Sequence, residues 1–276
     1  MNPTLLAGVK MPWPEMARFA ARFGYPGVDV ALGPAMADGV ANTRALLERL
    51  KIRPGAIGLP VEFRKDDAAF EQTLAKLAPA AEFAAGIGCP RMATWVMASS
   101  ETPKAELRAT FLKRFGAVAD VLRRSGVSLG LEFLGPLEHR KRLPHEFIWR
   151  MSEMLAFARE CGPNVGLLLD SWHWHHAGAT VEDILAARER VVHVHINDAA
   201  KQPPEGVRDN QRLLPGDGVI NLTGFFRALD KIGYRDAVSI EVFGAFLKEM
   251  GPEKAVPAAL AKARAVMEKA GVRWNA

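Results

Sequence analysis

Cysteine is nearly missing from this chain of 276 residues: Cys89 and Cys161 are its only two. So small a number excludes a disulfide framework and a closed thiolate zinc site. No apolar run approaches the roughly 18 residues that span a bilayer, so no membrane partner is expected. The opening stretch, MNPTLLAGVKMPWPEM, has a short apolar segment but neither a basic lead-in nor a secretory cleavage pattern. Charge of one sign is not concentrated either. The densest basic cluster, His139-Arg140-Lys141-Arg142, is too short for a nucleic-acid footprint. A cytoplasmic protein without nucleic-acid partners is the expectation.

What is present is the composition of an ordinary globular chain, 49% hydrophobic and 24% charged. The net charge of +5 comes from 36 basic and 31 acidic residues mixed along the chain, which reads as a solvated surface. It permits an anionic partner without establishing one.

Strand-like and helix-like segments alternate eight times. Strands are expected at Thr4 to Val9, Gly27 to Ala31, Gly55 to Leu59, Arg91 to Met97, Val127 to Phe133, Val165 to Asp170, Val191 to His195 and Ala237 to Phe243. The helices between them run from Pro14 to Phe23, through Thr43 to Glu48, from Asp67 to Ala85, Lys104 to Ser125 and Phe147 to Cys161, from a start at Val181 to Leu185, and from Asn221 to Ile232. A last helix from Pro252 to Ala270 closes the chain. In Lys104 to Ser125, Leu107, Phe111, Phe115, Val118 and Leu122 recur at spacings of three and four, the stripe of a packed amphipathic helix. No composition break divides the chain, and no GxGxxG turn follows the first strand. A single α/β domain spanning residues 1–276, a (β/α)8 TIM barrel, is expected over an open doubly wound sheet.

The stretch that organises the rest runs from Asn164 to Asp198. NVGLLLDSWHW and VVHVHIND each read as a buried parallel strand ending in metal-capable groups. Period-two alternation puts His193 and His195 on one face, with His193 one layer lower. Glu132 lies near the end of the strand VSLGLEF and Glu241 within SIEVF. A carboxylate in such a run is costly to bury unless paired or metal-bound. Together Glu132, Asp170, His195 and Glu241 sit near the carboxyl ends of four consecutive strands, where barrels place their chemistry. Structural ion pairs account for one such glutamate more easily than for the whole set. Three carboxylates and one imidazole suit one divalent ion, Mn²⁺, Co²⁺ or Mg²⁺, with Zn²⁺ also admissible.

These residues, with the segments LLLDSWHW, VHVHINDA and RLLPGDG, resemble the sugar phosphate isomerase/epimerase superfamily, the xylose isomerase-like TIM barrels. That superfamily includes ketose 3-epimerases, hydroxypyruvate isomerase and inosose dehydratase. The resemblance covers essentially the whole chain, from Gly24-Tyr25-Pro26-Gly27-Val28 to Ser239-Ile240-Glu241-Val242. It implies that Glu132, Asp170, His195 and Glu241 bind the metal, and that Glu132 and Glu241 double as acid and base. It further implies that His173 and Arg212 contact oxygens of a small sugar or polyol. Removing a proton beside a carbonyl needs a carboxylate base and stabilisation of the resulting enediolate, which a Lewis-acidic metal supplies. Epimerase, isomerase and dehydratase outcomes all remain open on such a site, as does assembly into a homo-oligomer.

The loops hold weaker candidates for substrate contact: His145, Glu62, Arg64 and Trp95, each with a packing or surface role as the alternative. Trp172 suits packing as well as a sugar face. Asp198 suits a loop cap or support of the ligands. No role is expected of His175 and His176. An apurinic-endonuclease-like nuclease shares the Glu, Asp–His, His and Glu positions but needs further histidines. All seven histidines here lie at or after His139, so the early strands supply none. A non-catalytic sugar-binding barrel is the other rival, and both glutamates in place argue against it.

Overall fold

In the computed structural model, which describes residues 1–273, seven parallel strands form one sheet in chain order. They are β1 (Gly27–Val30), β2 (Arg53–Gly58), β3 (Arg91–Val96), β4 (Ser128–Phe133), β5 (Val165–Asp170), β6 (Val191–Ile196) and β7 (Val238–Ile240). Helices on the outer face connect them, giving a nearly closed barrel of the expected class. The strands are apolar on both faces because one side meets those helices and the other fills the barrel. Helix Lys104–Arg124 buries Phe111, Phe115, Val118 and Leu122, the stripe read from the sequence. Phe63 meets Phe111 and Phe115 at ring separations of 5.3 and 4.6 Å, locking the loop after β2 onto this helix.

Register fixes which side chains reach the interior, since paired residues of parallel strands point to the same face. Trp95 pairs with Glu132, Asp170 with His195, and His195 with Ser239. Trp95 and Glu132 therefore point the same way on neighbouring strands, as do Asp170 and His195. One layer below His195, His193 pairs with Leu168. His193 Nε2 lies 3.8 Å from Asp29 Oδ1, and that carboxylate accepts from Ser239 Oγ at 2.8 Å.

Four expectations change. Residues 4–9 form no strand; Pro3–Leu6 is a single 3-10 turn, capped by Asn2 and followed by Ala7 at φ +54°. Pro3 lacks a ladder donor and the Asn2 side chain takes the Thr4 N–H, so the chain turns where apolar content alone reads as strand. Met1 alone makes the pairing of a parallel strand, donating to Gly27 O and accepting from Asp29 N. A cavity of about 260 Å³ lies in the seam between β7 and β1, lined in part by Gly27, Ser239, Ile240, Leu260 and Met267.

The expected helix over 67–85 is two, Asp67–Leu74 and Leu77–Gly86. The helix expected from Phe147 begins at Met151, because Phe147 N–H is committed to Ala98 O at 2.7 Å. The last strand is shorter than expected, ending at Ile240, yet Glu241 N–H still donates to Ile196 O. Among the described residues no helix is long and apolar enough to cross a membrane.

Candidate functional site

Four side chains converge at the carboxyl ends of β4 to β7. Ligand atoms of Glu132, Asp170, His195 and Glu241 all lie within 4.8 Å of one another. His195 Nδ1 is 3.3 Å from Glu241 Oε2, and 3.9 Å from both Glu132 Oε1 and Asp170 Oδ2. Among the described residues neither His195 Nδ1 nor Glu132 Oε1 has a hydrogen-bond partner, although both are buried. Such orphaned donors are costly in a protein interior unless something binds them. Three oxygen donors and one imidazole nitrogen, facing one point and short of partners, fit a divalent cation.

The charge pattern follows from crowding. Burial raises Glu132 well above the usual carboxylate range, and its neighbours Glu241 and Asp170 push it the same way. Burial alone would also raise Glu241, but His195 and Arg212 outweigh it and hold the carboxyl at about 2. For His195, burial works against the proton, yet Glu241, Glu132 and Asp170 raise the imidazole to about 10. The crowded cluster thus favours protons on Glu132 and His195, which a cation bound among the four would displace.

Asp170 is held from every side. Its Oδ1 accepts from Trp172 N at 2.7 Å and caps the short helix Ser171–His176. Asn197 Nδ2 reaches both carboxylate oxygens at 3.1 Å, and Ser171 Oγ donates to Asn197 Oδ1 at 2.9 Å. Arg212 completes the frame. Its Nη1 lies 2.8 Å from Asp170 Oδ2 and 2.9 Å from Glu241 Oε2, while Asp209 accepts from Nη2 at 2.9 Å. His173 Nε2 sits 3.2 Å from the same guanidinium. Burial first, and Arg212 second, drive the His173 imidazole well below its usual range, so it stays neutral.

The other candidates part company. Trp95 pairs with Glu132 on the neighbouring strand, is 47% exposed, and carries the Arg64 guanidinium 3.8 Å from its ring centre. Glu62 is exposed and faces Lys65 at 3.5 Å. His145 is exposed and pairs with Ser100 in a two-residue antiparallel ribbon. Neither joins the four-donor cluster. Trp172 is fully buried packing, and Asp198 is a loop cap, accepting from the N–H groups of Ala199, Ile220 and Gly216.

Asn197 and Asp209 went unassigned in the sequence. Asn197 had a legible signal, since it shares the parity of His195; Asp209 lies in a loop and had none.

A model of the xylose isomerase-like TIM barrel matches residues 17–268. Similar curated proteins include the inosose isomerase of Bacillus velezensis, 29% identical over 60% of this chain and 58% of that one. This chain thus spans little more than half the length of that relative. The L-ribulose 3-epimerase of Methylomonas sp. is 27% identical over 81% of this chain and 76% of its own. An inosose dehydratase of Erwinia tasmaniensis is 29% identical over 44% of each. Among solved structures, a xylose isomerase domain protein from Alicyclobacillus acidocaldarius is 29% identical, covers 98% of both chains and gives a TM-score of 0.90. The IOLI protein with a binding zinc atom shares the fold at 20% identity and TM-score 0.82, over 98% of this chain and 97% of its own.

Proposed function

The chain belongs to the xylose isomerase-like TIM-barrel family, and on that premise we propose that it is a divalent-metal-dependent sugar epimerase or isomerase. Its substrate on this reading is a keto-sugar or related polyol. One observation carries the proposal: four metal-capable side chains at the ends of four consecutive strands bring their ligand atoms within 4.8 Å of one another, and two of those atoms have no hydrogen-bond partner among the described residues.

Glu132, Asp170, His195 and Glu241 would hold one ion, Mn²⁺, Co²⁺ or Mg²⁺, with Zn²⁺ also fitting this donor set. When bound, it would supply Lewis-acid polarisation of a substrate carbonyl and its neighbouring hydroxyl. The chain's own residues do the rest. One of the two glutamates takes the proton from the carbon beside the carbonyl, and one returns it. Arg212 and His173, both buried and rigidly held, orient substrate oxygens. Asn197 keeps Asp170 fixed while this happens.

Glu132 comes from β4 and Glu241 from just beyond β7, with Asp170 and His195 between them. A carbon lying over the set has a carboxylate on either flank. That favours inversion at one carbon over a shuttle between two, which needs a single base. The similarity to inosose dehydratases supports a second reading, loss of a hydroxyl β to the carbonyl from the same intermediate.

The deciding experiment incubates metal-loaded protein with ketoses and inososes in deuterated water and follows the label by NMR. Deuterium at C3 of a ketose with inverted product supports epimerisation; deuterium at C1 with an aldose indicates isomerisation. Label accompanied by an enone or diketone indicates dehydration, and no exchange across a broad panel defeats the proposal.

A further inference from the structure

The seam between β7 and β1 holds a cavity apart from the barrel mouth. These two strands are the edges of the sheet, and the cavity of about 260 Å³ lies between them under the last helix, Pro252–Ala270. Val238 pairs with Val194 and Ile240 with Ile196, one step out of phase with His195, so both face the helix layer and not the barrel interior. From the helix, Leu260, Ala263 and Met267 close the other wall. His195 and these apolar walls therefore stand on opposite faces of the sheet.

The polar end of the cavity lies at the amino ends of the strands. Gly27, Arg53 and Arg91, which begin β1, β2 and β3, line it there, with Arg235 and Asp236 just ahead of β7. Arg264 reaches the same end from the helix and donates to Gly24 O at 2.9 Å. Charge is unbalanced in one direction. Among the described residues four arginines line the cavity, and Asp236 is its one acid. Asp236 is taken by Arg91, and Arg235 pairs with Asp230 at 2.8 Å. Arg264 is exposed, and among the described residues no carboxylate lies within 4.0 Å of its guanidinium. Apolar walls with a cation at one end fit an amphipathic anion. A sugar there would leave its hydroxyls unpaired. A void of about 150 Å³ takes benzene, so this one takes on the order of ten non-hydrogen atoms.

We propose that the seam binds a small monocarboxylate with an apolar chain of about eight carbons. Its tail lies between β7 and the last helix, and its carboxylate meets Arg264 at the amino end of the barrel. This is a second ligand site, independent of the reaction proposed above. A mere packing gap would take no such ligand, or would take it without regard to charge.

The test titrates the full-length protein by calorimetry, with and without Mn²⁺, using butanoate, hexanoate, octanoate, dodecanoate and 1-octanol. Affinity should rise about fourfold per added methylene up to octanoate, the worth of one buried CH₂, and should rise no further to dodecanoate. Octanoate should bind about fivefold more tightly than 1-octanol, the upper range for a partly solvated ion pair. Arg264→Gln should bring that ratio to about one, and Arg264→Lys should keep part of it. Ala263→Phe, which fills the void, should abolish binding of octanoate and 1-octanol alike, with circular dichroism checking the fold. Crystals soaked in 6-bromohexanoate should show a bromine anomalous peak beside Ala263 and Met267. Absence of binding, affinity that keeps rising to dodecanoate, or a charge preference that survives Arg264→Gln overturns the proposal. So does octanoate binding that requires Mn²⁺, or a bromine peak at the mouth, since either puts the carboxylate on the metal cluster. If Ala263→Phe fails to fold, the bromine peak and Arg264→Gln still decide.

Discussion

Arg212 Nη1 lies 2.8 Å from Asp170 Oδ2, and both side chains are withdrawn from solvent. The pair sets the charge of the whole site. With all carboxylates ionised and His195 neutral, Glu132, Asp170, Glu241 and Asp209 outnumber the Arg212 charge, an excess that a bound cation would offset. Removing one member of a buried pair costs about 3–5 kcal/mol, because the other is left uncompensated.

Asp170→Asn keeps an oxygen for the cap on Trp172 N but removes the charge. It should lower stability by a few kcal/mol in urea unfolding, on the order given for a broken buried pair. Elemental analysis should find about one metal per wild-type chain and far less in the variant. Full metal retention in a folded Asp170→Asn protein would sink the ligand assignment.

Glu132→Gln and Glu241→Gln should each reduce turnover by at least about a hundredfold, the lower end for lost general acid–base catalysis. With one glutamate on either flank, neither can stand in for the other. A variant that keeps wild-type turnover would remove that glutamate from the chemistry, and single-turnover exchange rates would show it.

Acid should destabilise the fold through half-buried histidines that stay neutral in the folded chain. Burial lowers His176 to about 4, with His175 and Arg212 adding to the effect, and burial lowers His175 as well. These groups bind protons more readily when unfolded, near pH 6.5, so their contribution is complete above that pH and is lost as pH falls toward about 4. The melting temperature should therefore drop between pH 6.5 and 4. His176→Gln should flatten part of that slope; an unchanged slope would contradict a neutral His176 in the folded chain.

Gly166 lies where β5 passes the loop entering β6, and a Cβ there would stand 2.1 Å from Arg190 O. Backbone cannot yield as a side-chain tip does, so Gly166→Ala should cost about 1–3 kcal/mol and lower the urea midpoint. An unaltered midpoint would mean that this stretch of β5 is not packed as described.

The barrel was legible because its strands are short apolar runs cut by Gly and Pro, and its strongest helix has an unbroken 3.6-residue stripe. The cluster was legible for a related reason. Carboxylates and histidines inside apolar strands, as in LLLD and VHVHI, carry a cost that needs a partner, and strand parity says where they point. Residues 4–9 misled because local chemistry beat apolar content: Pro3 removes a donor and Asn2 caps a turn. Pattern could not place His145 and Glu62, because position after a strand does not say how a loop folds back, and the ribbon at Ser100 holds His145 outside the four-donor cluster. Nor could pattern place Arg64 on Trp95, a contact set by the fold of the loop after β2 on helix Lys104–Arg124.

The most direct measurement is anomalous diffraction at the manganese edge from crystals of the full chain grown with Mn²⁺. The expected result is one strong peak at about 2.0–2.3 Å from donor atoms of Glu132, Asp170, His195 and Glu241. Asp29, His193 and His195 form a second group whose ligand atoms also approach within 4.8 Å, one layer lower. A peak there instead, or none at the mouth, would contradict the metal-dependent reading of this barrel.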